Sequence, residues 1–283
     1  MNSRLIGFAN SAIRLESDLG PASSMVDFLF PSRMAAGSIP PHLTLSLKGG
    51  EGGWLSLHEA GIHSRTTYVE GDMAEWLLGR VGYHLADRSR GGVLFHAAAL
   101  YYQGRGLILP GRTGAGKSTL TCWLLSRGFG YMSDEFAFLP TGDLNLVAFP
   151  RPLNIKRTAI GHIRPLLRIP DRGLALEGSS STVISSECLS SARVQSQIRL
   201  GLVVLPRFQS GIDYSFESVD LGQAGLELME SVLNLRNLAR HGLPEIAHLI
   251  RSVPVYRLSY GSFYQLEQEG FLGNLSQLLA KSA

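Results

Sequence analysis

The residues Gly111-Arg-Thr-Gly-Ala-Gly-Lys117-Ser118-Thr119 follow the pattern G-x-x-x-x-G-K-[ST], whose chemistry is the binding of a polyphosphate. Glycines let the backbone curl so that successive N–H groups point at phosphate oxygens. A helix that begins where the loop ends adds the partial positive charge of its N-terminus. In such a loop Gly111, Thr113, Gly114, Ala115 and Gly116 form the cradle, and Thr119 belongs to the first helical turn. Lys117 would reach the β- and γ-phosphates of ATP, and the Ser118 hydroxyl would ligate Mg2+. Lys117 is expected to be an exposed loop side chain that contributes little to packing.

The motif needs a strand before it and a helix after it. Gly106-Leu-Ile-Leu-Pro110 is a short apolar run that reads as the strand, and Thr119 to Arg127 reads as the helix. Beyond the helix, the run from Gly128 to Leu139 reads as a single strand with two adjacent carboxylates, Asp134 and Glu135, near its centre. Alternation along a strand would turn one carboxylate toward the phosphates and the other away. A carboxylate on a strand beside a phosphate loop is the expected second Mg2+ ligand, or the base that orients a nucleophile. Ahead of the loop, His96 is the polar side chain in the apolar centre of a strand from Gly92 to Gln103. By itself it would be a core imidazole, but its neighbours make it a candidate for the site.

The whole chain sets broader limits. Its 283 residues suffice for about two domains. With 45% hydrophobic and 17% charged residues, the composition is that of a folded soluble protein. A net charge of +3 suits an anionic ligand and falls short of a nucleic-acid footprint. Cys122 and Cys188 are the only cysteines, without metal or disulfide spacing, so a reducing cytoplasm is the simplest setting. The first 19 residues lack the apolar core of a signal peptide, and no stretch suits a membrane span.

Taken in order, residues 1–40 read as irregular, loops with at most one short strand, punctuated by Pro21, Pro31, Pro40 and Pro41. His42–Lys48 and Trp54–His58 read as a β-hairpin, Arg65–Val69 as a further strand and Asp72–Asp87 as an amphipathic helix. The expected organisation is therefore a small N-terminal α+β element over residues 1–90 and a phosphate-loop domain over 91–283. Arg151, Lys156, Arg157, His162, Arg164 and Arg168 form a basic stretch that either holds an anion or is a solvated face. Residues 172–196 are rich in Ser and Gly and read as a mobile loop, either a lid or a linker. Gln197–Arg207 reads as a buried strand that ends with Arg207 on the edge where open α/β sheets bind ligands. Leu221–His241, Pro244–Arg251 and Phe263–Lys281 read as helices, with a strand at Val255–Ser259.

From His96 to Glu135 the chain resembles, without a gap, the catalytic domain of HPr kinase/phosphorylase. It resembles more closely the shorter HPr-kinase-related proteins found near peptide-modification genes. A histidine stands 15 residues before the first loop glycine (111 − 96), and an acidic pair begins 17 residues after the loop lysine (134 − 117), as in that family. Arg127-Gly128 reproduces the family's pair at the end of the helix. The resemblance covers about residues 92–260. It does not extend to the N-terminal 90 residues, and the Ile-Arg-Gly-Leu-Gly phosphorylase signature is absent. It implies an α/β P-loop fold, a mixed sheet flanked by helices. It also implies that Lys117 and Ser118 hold phosphate and Mg2+, that Asp134 is metal ligand or general base, and that His96 lies beside the γ-phosphate. Glu135 stands where the family has a second aspartate, as a further metal-site residue.

Three functions compete at this stage. The leading one is an ATP-dependent kinase that acts on a serine of a small protein or precursor peptide, with neither nucleic acid nor membrane as partner and homo-oligomerisation left open. A small-molecule kinase would share the loop and the acidic strand, but usually begins at the loop. A nucleotide-binding scaffold would bind ATP without transferring phosphate. An ABC-type ATPase is disfavoured because no Ser-Gly-Gly signature segment appears.

Overall fold

The architecture follows from a computed structural model, which describes residues 1–31, 34, 37–167, 173–189 and 196–281. The chain opens with a hairpin of β1 (Asn2–Phe8) and β2 (Ser11–Ser17), antiparallel from Asn2 opposite Ser17 to Phe8 opposite Ser11. Its turn residues Ala9 and Asn10 have φ of 51° and 59°, the left-handed conformation that matches strand twist in a two-residue hairpin. Pro21 then begins α1 (Pro21–Leu29), where its missing N–H costs nothing. The expectation of irregular structure over residues 1–40 is thus corrected: one of its prolines starts a helix, and the hairpin turn contains no glycine.

β3 (Thr44–Gly49), β4 (Leu55–Glu59) and β5 (Ile62–Thr67) complete a five-stranded sheet in the order β1-β2-β3-β4-β5. Across it lies α2 (Glu70–Arg88), which buries Met73, Leu77, Val81 and Leu85. Its first turn carries Glu70 and Asp72 and its last turn Arg88, each complementing the helix dipole.

The next stretch contains β6 (Gly92–Phe95), β7 (Ala97–Tyr102), β8 (Arg105–Pro110), α3 (Lys117–Leu125), β9 (Gly130–Ser133), β10 (Ala137–Pro140) and β11 (Asn145–Val147). β12 (Leu153–Lys156), α4 (Arg157–Leu167), β13 (Ala175–Glu177) and β14 (Ser181–Ile184) follow. The chain then runs through β15 (Gln197–Phe208), β16 (Ser215–Ser218), α5 (Leu221–Glu230), α6 (Leu243–Ser252) and β17 (Val255–Tyr260). It ends with α7 (Phe263–Gln268) and α8 (Phe271–Lys281). Among the described residues no helix is long and apolar enough to cross a membrane.

These elements form two units, Met1–Arg90 with Arg151–Cys188, and Gly91–Pro150 with Leu189–Ala283. Residues 151–188 were expected within the domain over 91–283, yet they pack with the first unit. The reason is a set of hydrogen bonds onto α2. Asp72 accepts from the Ser179 amide at 2.6 Å and its hydroxyl at 2.7 Å, while Glu75 accepts from Ser180 at 2.9 Å and Ser181 at 2.8 Å. Within the stretch expected to be a mobile loop, Ser179, Ser180 and Ser181 therefore satisfy carboxylates and β14 pairs with both β12 and β13, whereas residues 190–195 lie outside the described residues. The basic stretch belongs largely to this unit. Arg164 pairs with Glu177 within it, whereas Arg168, Asp171 and Arg172 lie outside the described residues.

The second unit is a mixed α/β layer. Its nine-stranded sheet runs β6-β10-β11-β15-β8-β7-β9, with β17 beside β15 and β16 beside β17. β15 is parallel to both β8 and β17, and the other pairs are antiparallel. Ile108, Val203 and Leu205 pack with Leu228 of α5 and Leu249 of α6. α8 packs against β8 and β15, and Trp123 of α3 stacks with Phe263 and Phe271. α5 ends at Glu230 and does not continue to His241, because Asn234 is turned onto the edge of β6. Its side chain accepts from the Leu94 amide at 3.0 Å and donates to the Gly92 carbonyl at 2.9 Å. The expected C-terminal helix likewise divides into α7 and α8 at Gly270, whose φ is 63°.

In the first unit the Arg80 guanidinium forks onto Glu59 at 2.7 and 2.6 Å, with His84 at 2.9 Å and Ser64 at 2.9 Å completing its shell. Chiefly through the Arg80 hydrogen bonds, Glu59 is lowered from 4.5 to about 2, against the opposing effect of burial. A carboxyl depressed on folding contributes stability above its unfolded pKa and loses it as pH falls through the folded one. Acid unfolding of this unit should therefore set in between about pH 4.5 and 2. Glu59→Gln should cost about 2 kcal/mol at neutral pH and flatten that dependence, as read by chemical denaturation across pH.

Candidate functional site

Strand register brings the glycine loop, His96 and Asp134 to the same end of the sheet. β7 and β8 form a tight hairpin whose last pair is Ala97 with Pro110, so His96 and Gly111 flank its open end, and both line one cavity. The separation of 15 residues (111 − 96) is therefore the arithmetic of an antiparallel hairpin. On the other side β7 pairs Ala99 with Ser133 of β9, and beyond the bend the same ladder pairs Phe95 of β6 with Ala137 of β10. Both strands bend at the same level, His96 on one and residues 134–136 on the other. The Ala97 amide donates to the Glu135 carbonyl at 3.3 Å across that corner.

The single strand expected from Gly128 to Leu139 is thus two strands, and the acidic pair sits at the corner between them. Glu135 has φ of 68°, a conformation rare outside glycine that costs on the order of 1 kcal/mol. The turn frees Asp134 from the strand direction. Asp134 is 1% exposed, and the Ser118 hydroxyl lies 3.2 Å from each of its carboxylate oxygens. Neighbouring ligands of an octahedral Mg2+ with bonds near 2.1 Å stand about 3 Å apart, so this hydroxyl–carboxylate pair fits two positions of one cation. Among the described residues no group of three His, Cys, Asp or Glu could hold a metal by itself.

The loop has the form that its glycines require. Gly116, at φ of 91°, precedes α3 in the left-handed conformation and offers no side-chain cap to the first-turn amides, the groups that take an anion at a helix N-terminus. Gly114 has φ of 90° and open space around it, and Thr113 and Ala115 line the adjoining cavity. Lys117 corrects the expectation of an exposed side chain. It is 6% exposed, and its ammonium donates to the Gly111 carbonyl at 2.6 Å and the Arg112 carbonyl at 3.2 Å. In this arrangement the lysine closes its own loop. Cys122, one turn into α3, is fully buried; burial and then the charge of Asp134 push its thiol well up, which keeps it protonated and unreactive.

The far wall is the end of β15. Its parallel register with β8 carries Pro206 to the level of Gly111, and the Phe208 amide donates to the Ala115 carbonyl at 3.2 Å. A cavity of about 650 Å³ opens beside the loop, lined by His96, Thr113, Pro206, Arg207, Glu230 and Ser231, among others. The sequence reading missed its acidic wall. Glu227 and Glu230 of α5 pair with Arg257 and Arg112. Their i, i+3 spacing was a signal that one helix face carries two carboxylates, but their partners are remote in sequence.

No protein-family model matches the chain, and no curated protein sequence matches it. Among solved structures, the HPr(Ser) kinase/phosphatase from Coxiella burnetii is similar over 65% of this chain and 96% of that chain, at 12% identity and a TM-score of 0.33. So distant a likeness assigns no residue of the site.

Packing behind the loop leads to a test. A Cβ on Gly116 would stand 2.8 Å from Phe208 Cβ and 2.9 Å from the Tyr260 hydroxyl, which is buried without a hydrogen-bond partner among the described residues. Gly116→Ala should destabilise the second unit by about 2 kcal/mol or more, from the clash and the left-handed backbone together. Tyr260→Phe removes only an unsatisfied hydroxyl and should be neutral or slightly stabilising. Urea denaturation of both variants measures the contrast.

Proposed function

We propose that the second unit is an ATP-dependent phosphotransferase of the serine-kinase type, acting on a serine of a small protein or peptide. The observation that carries this reading is the Ser118 hydroxyl at 3.2 Å from a buried Asp134, at the mouth of an uncapped helix that follows a glycine loop. The loop and first-turn amides would take the phosphates, and Lys117 would turn from the carbonyls it now binds toward the β- and γ-oxygens. Mg2+, held by Ser118 and Asp134, would neutralise phosphate charge, with Glu135 at the same corner as a further metal-site residue.

In the reaction, the serine oxygen bonds to the γ-phosphorus while the bond to the bridging oxygen breaks and ADP leaves. The hydroxyl proton would pass to Asp134 or to His96. His96 lines the cavity beside Gly111, as a residue next to the γ-phosphate would. Positioning and charge neutralisation supply most of the rate. A nucleotide-binding scaffold has no need of a base at this corner. The two free cysteines suit a reducing cytoplasm, and the modest positive charge suits an anionic cofactor more than nucleic acid.

The test is to incubate the protein with Mg2+, ATP labelled in the γ-phosphate and serine-containing peptides beside their alanine counterparts. Label should appear on serine. Asp134→Asn should lower transfer by about 10²–10³-fold. Lys117→Met, which preserves the buried stem while removing the charge, should abolish it without loss of helical signal. Nucleotide binding with no transfer to any hydroxyl would support a scaffold and overturn the kinase reading.

A further inference from the structure

Three arginines line the cavity beside the phosphate loop, and they are not equivalent. Arg112 donates to Glu230 at 2.9 and 3.2 Å, and Arg257 is paired with Glu227. The side chain of Arg207 has neither a hydrogen bond nor an ion pair among the described residues. The two glutamates thus neutralise two guanidiniums, and the net positive charge of these five side chains is that of Arg207.

The backbone of Arg207 runs beside the loop. The preceding Pro206 lies 4.0 Å from a Cβ built on Gly111, and the following Phe208 amide bonds the Ala115 carbonyl at 3.2 Å. Arg207 is also in register with Ser259 of β17, so it stands on the carboxyl edge of the parallel strands with sheet on one side and loop on the other. Strand alternation puts it on the same face as Leu205, which also lines the cavity.

We propose that Arg207 is a catalytic residue whose guanidinium contacts the transferred phosphoryl group and stabilises the charge that spreads over its oxygens in the transition state. This rests on the phosphotransferase reading. The chemistry fits a planar, permanently charged donor, which is worth most where charge develops during reaction and little in the ground state. Arg112 and Arg257, already engaged by α5, would position the loop and the wall of the cavity.

The experiment compares wild type, Arg207→Ala and Arg207→Lys for binding of ADP·Mg2+ alone and with aluminium fluoride, which mimics the phosphoryl group in transfer, and for transfer kinetics. Arg207→Ala should bind ADP·Mg2+ as wild type does but lose about 100-fold or more of the added affinity that aluminium fluoride brings. Its kcat should fall by about 10³-fold with little change in the KM for ATP. Arg207→Lys, a point charge without the planar fork, should recover only a minor part of either loss. An undiminished aluminium fluoride effect with normal kcat would overturn the proposal, as would a defect confined to the KM of the acceptor. If wild type itself does not bind ADP·Mg2+, the phosphotransferase reading fails first and takes this role with it.

Discussion

The structure of the site depends on a carboxylate withdrawn from water. Asp134 is 1% exposed, and the Ser118 hydroxyl stands 3.2 Å from both of its oxygens. Burying a charge costs several kcal/mol unless other groups compensate it, and the Ser118 hydroxyl is one such group. The rest of the unit arranges for this. The corner at Glu135 takes up an unfavourable backbone to aim Asp134 off the strand, and the β7–β8 hairpin brings the loop to the same level. The end of β15 then braces the loop through Phe208.

That arrangement explains which parts were legible in the sequence. The loop and its flanking strand and helix were, because glycine conformation, an apolar run and helical spacing are all local. The partnership of His96 with Gly111 was legible as a spacing, since a tight hairpin converts a fixed number of residues into a contact. Other features depended on remote partners. The corner at Asp134 and Glu135 exists because two strands bend together, and the end of α5 is set by Asn234 reaching the backbone of β6. The buried state of Lys117 comes from its bonds to Gly111 and Arg112, whereas in a free loop it would be solvated.

The first unit was the least legible for the same reason. Its opening hairpin turns on Ala9 and Asn10, which carry positive φ without glycine. Its last part, residues 151–188, joins it across 60 residues of the other unit through serines that bond Asp72 and Glu75. Serine-rich composition suggested mobility because serine is common in loops. The hydroxyls of Ser179, Ser180 and Ser181 instead serve as donors to a helix face, a use that composition by itself does not distinguish.

The central claim is that Asp134 and Ser118 hold the cation of a bound nucleotide. Linkage then requires Mg2+ and nucleotide to strengthen each other's binding, and requires that coupling to pass through Asp134. Calorimetric titration of ADP with and without Mg2+, on wild type and on Asp134→Asn, measures it directly. The account predicts that Mg2+ tightens ADP by about tenfold or more in wild type and that Asp134→Asn removes most of this gain while still binding metal-free ADP. An equal Mg2+ effect in both proteins, or none in wild type, would contradict it.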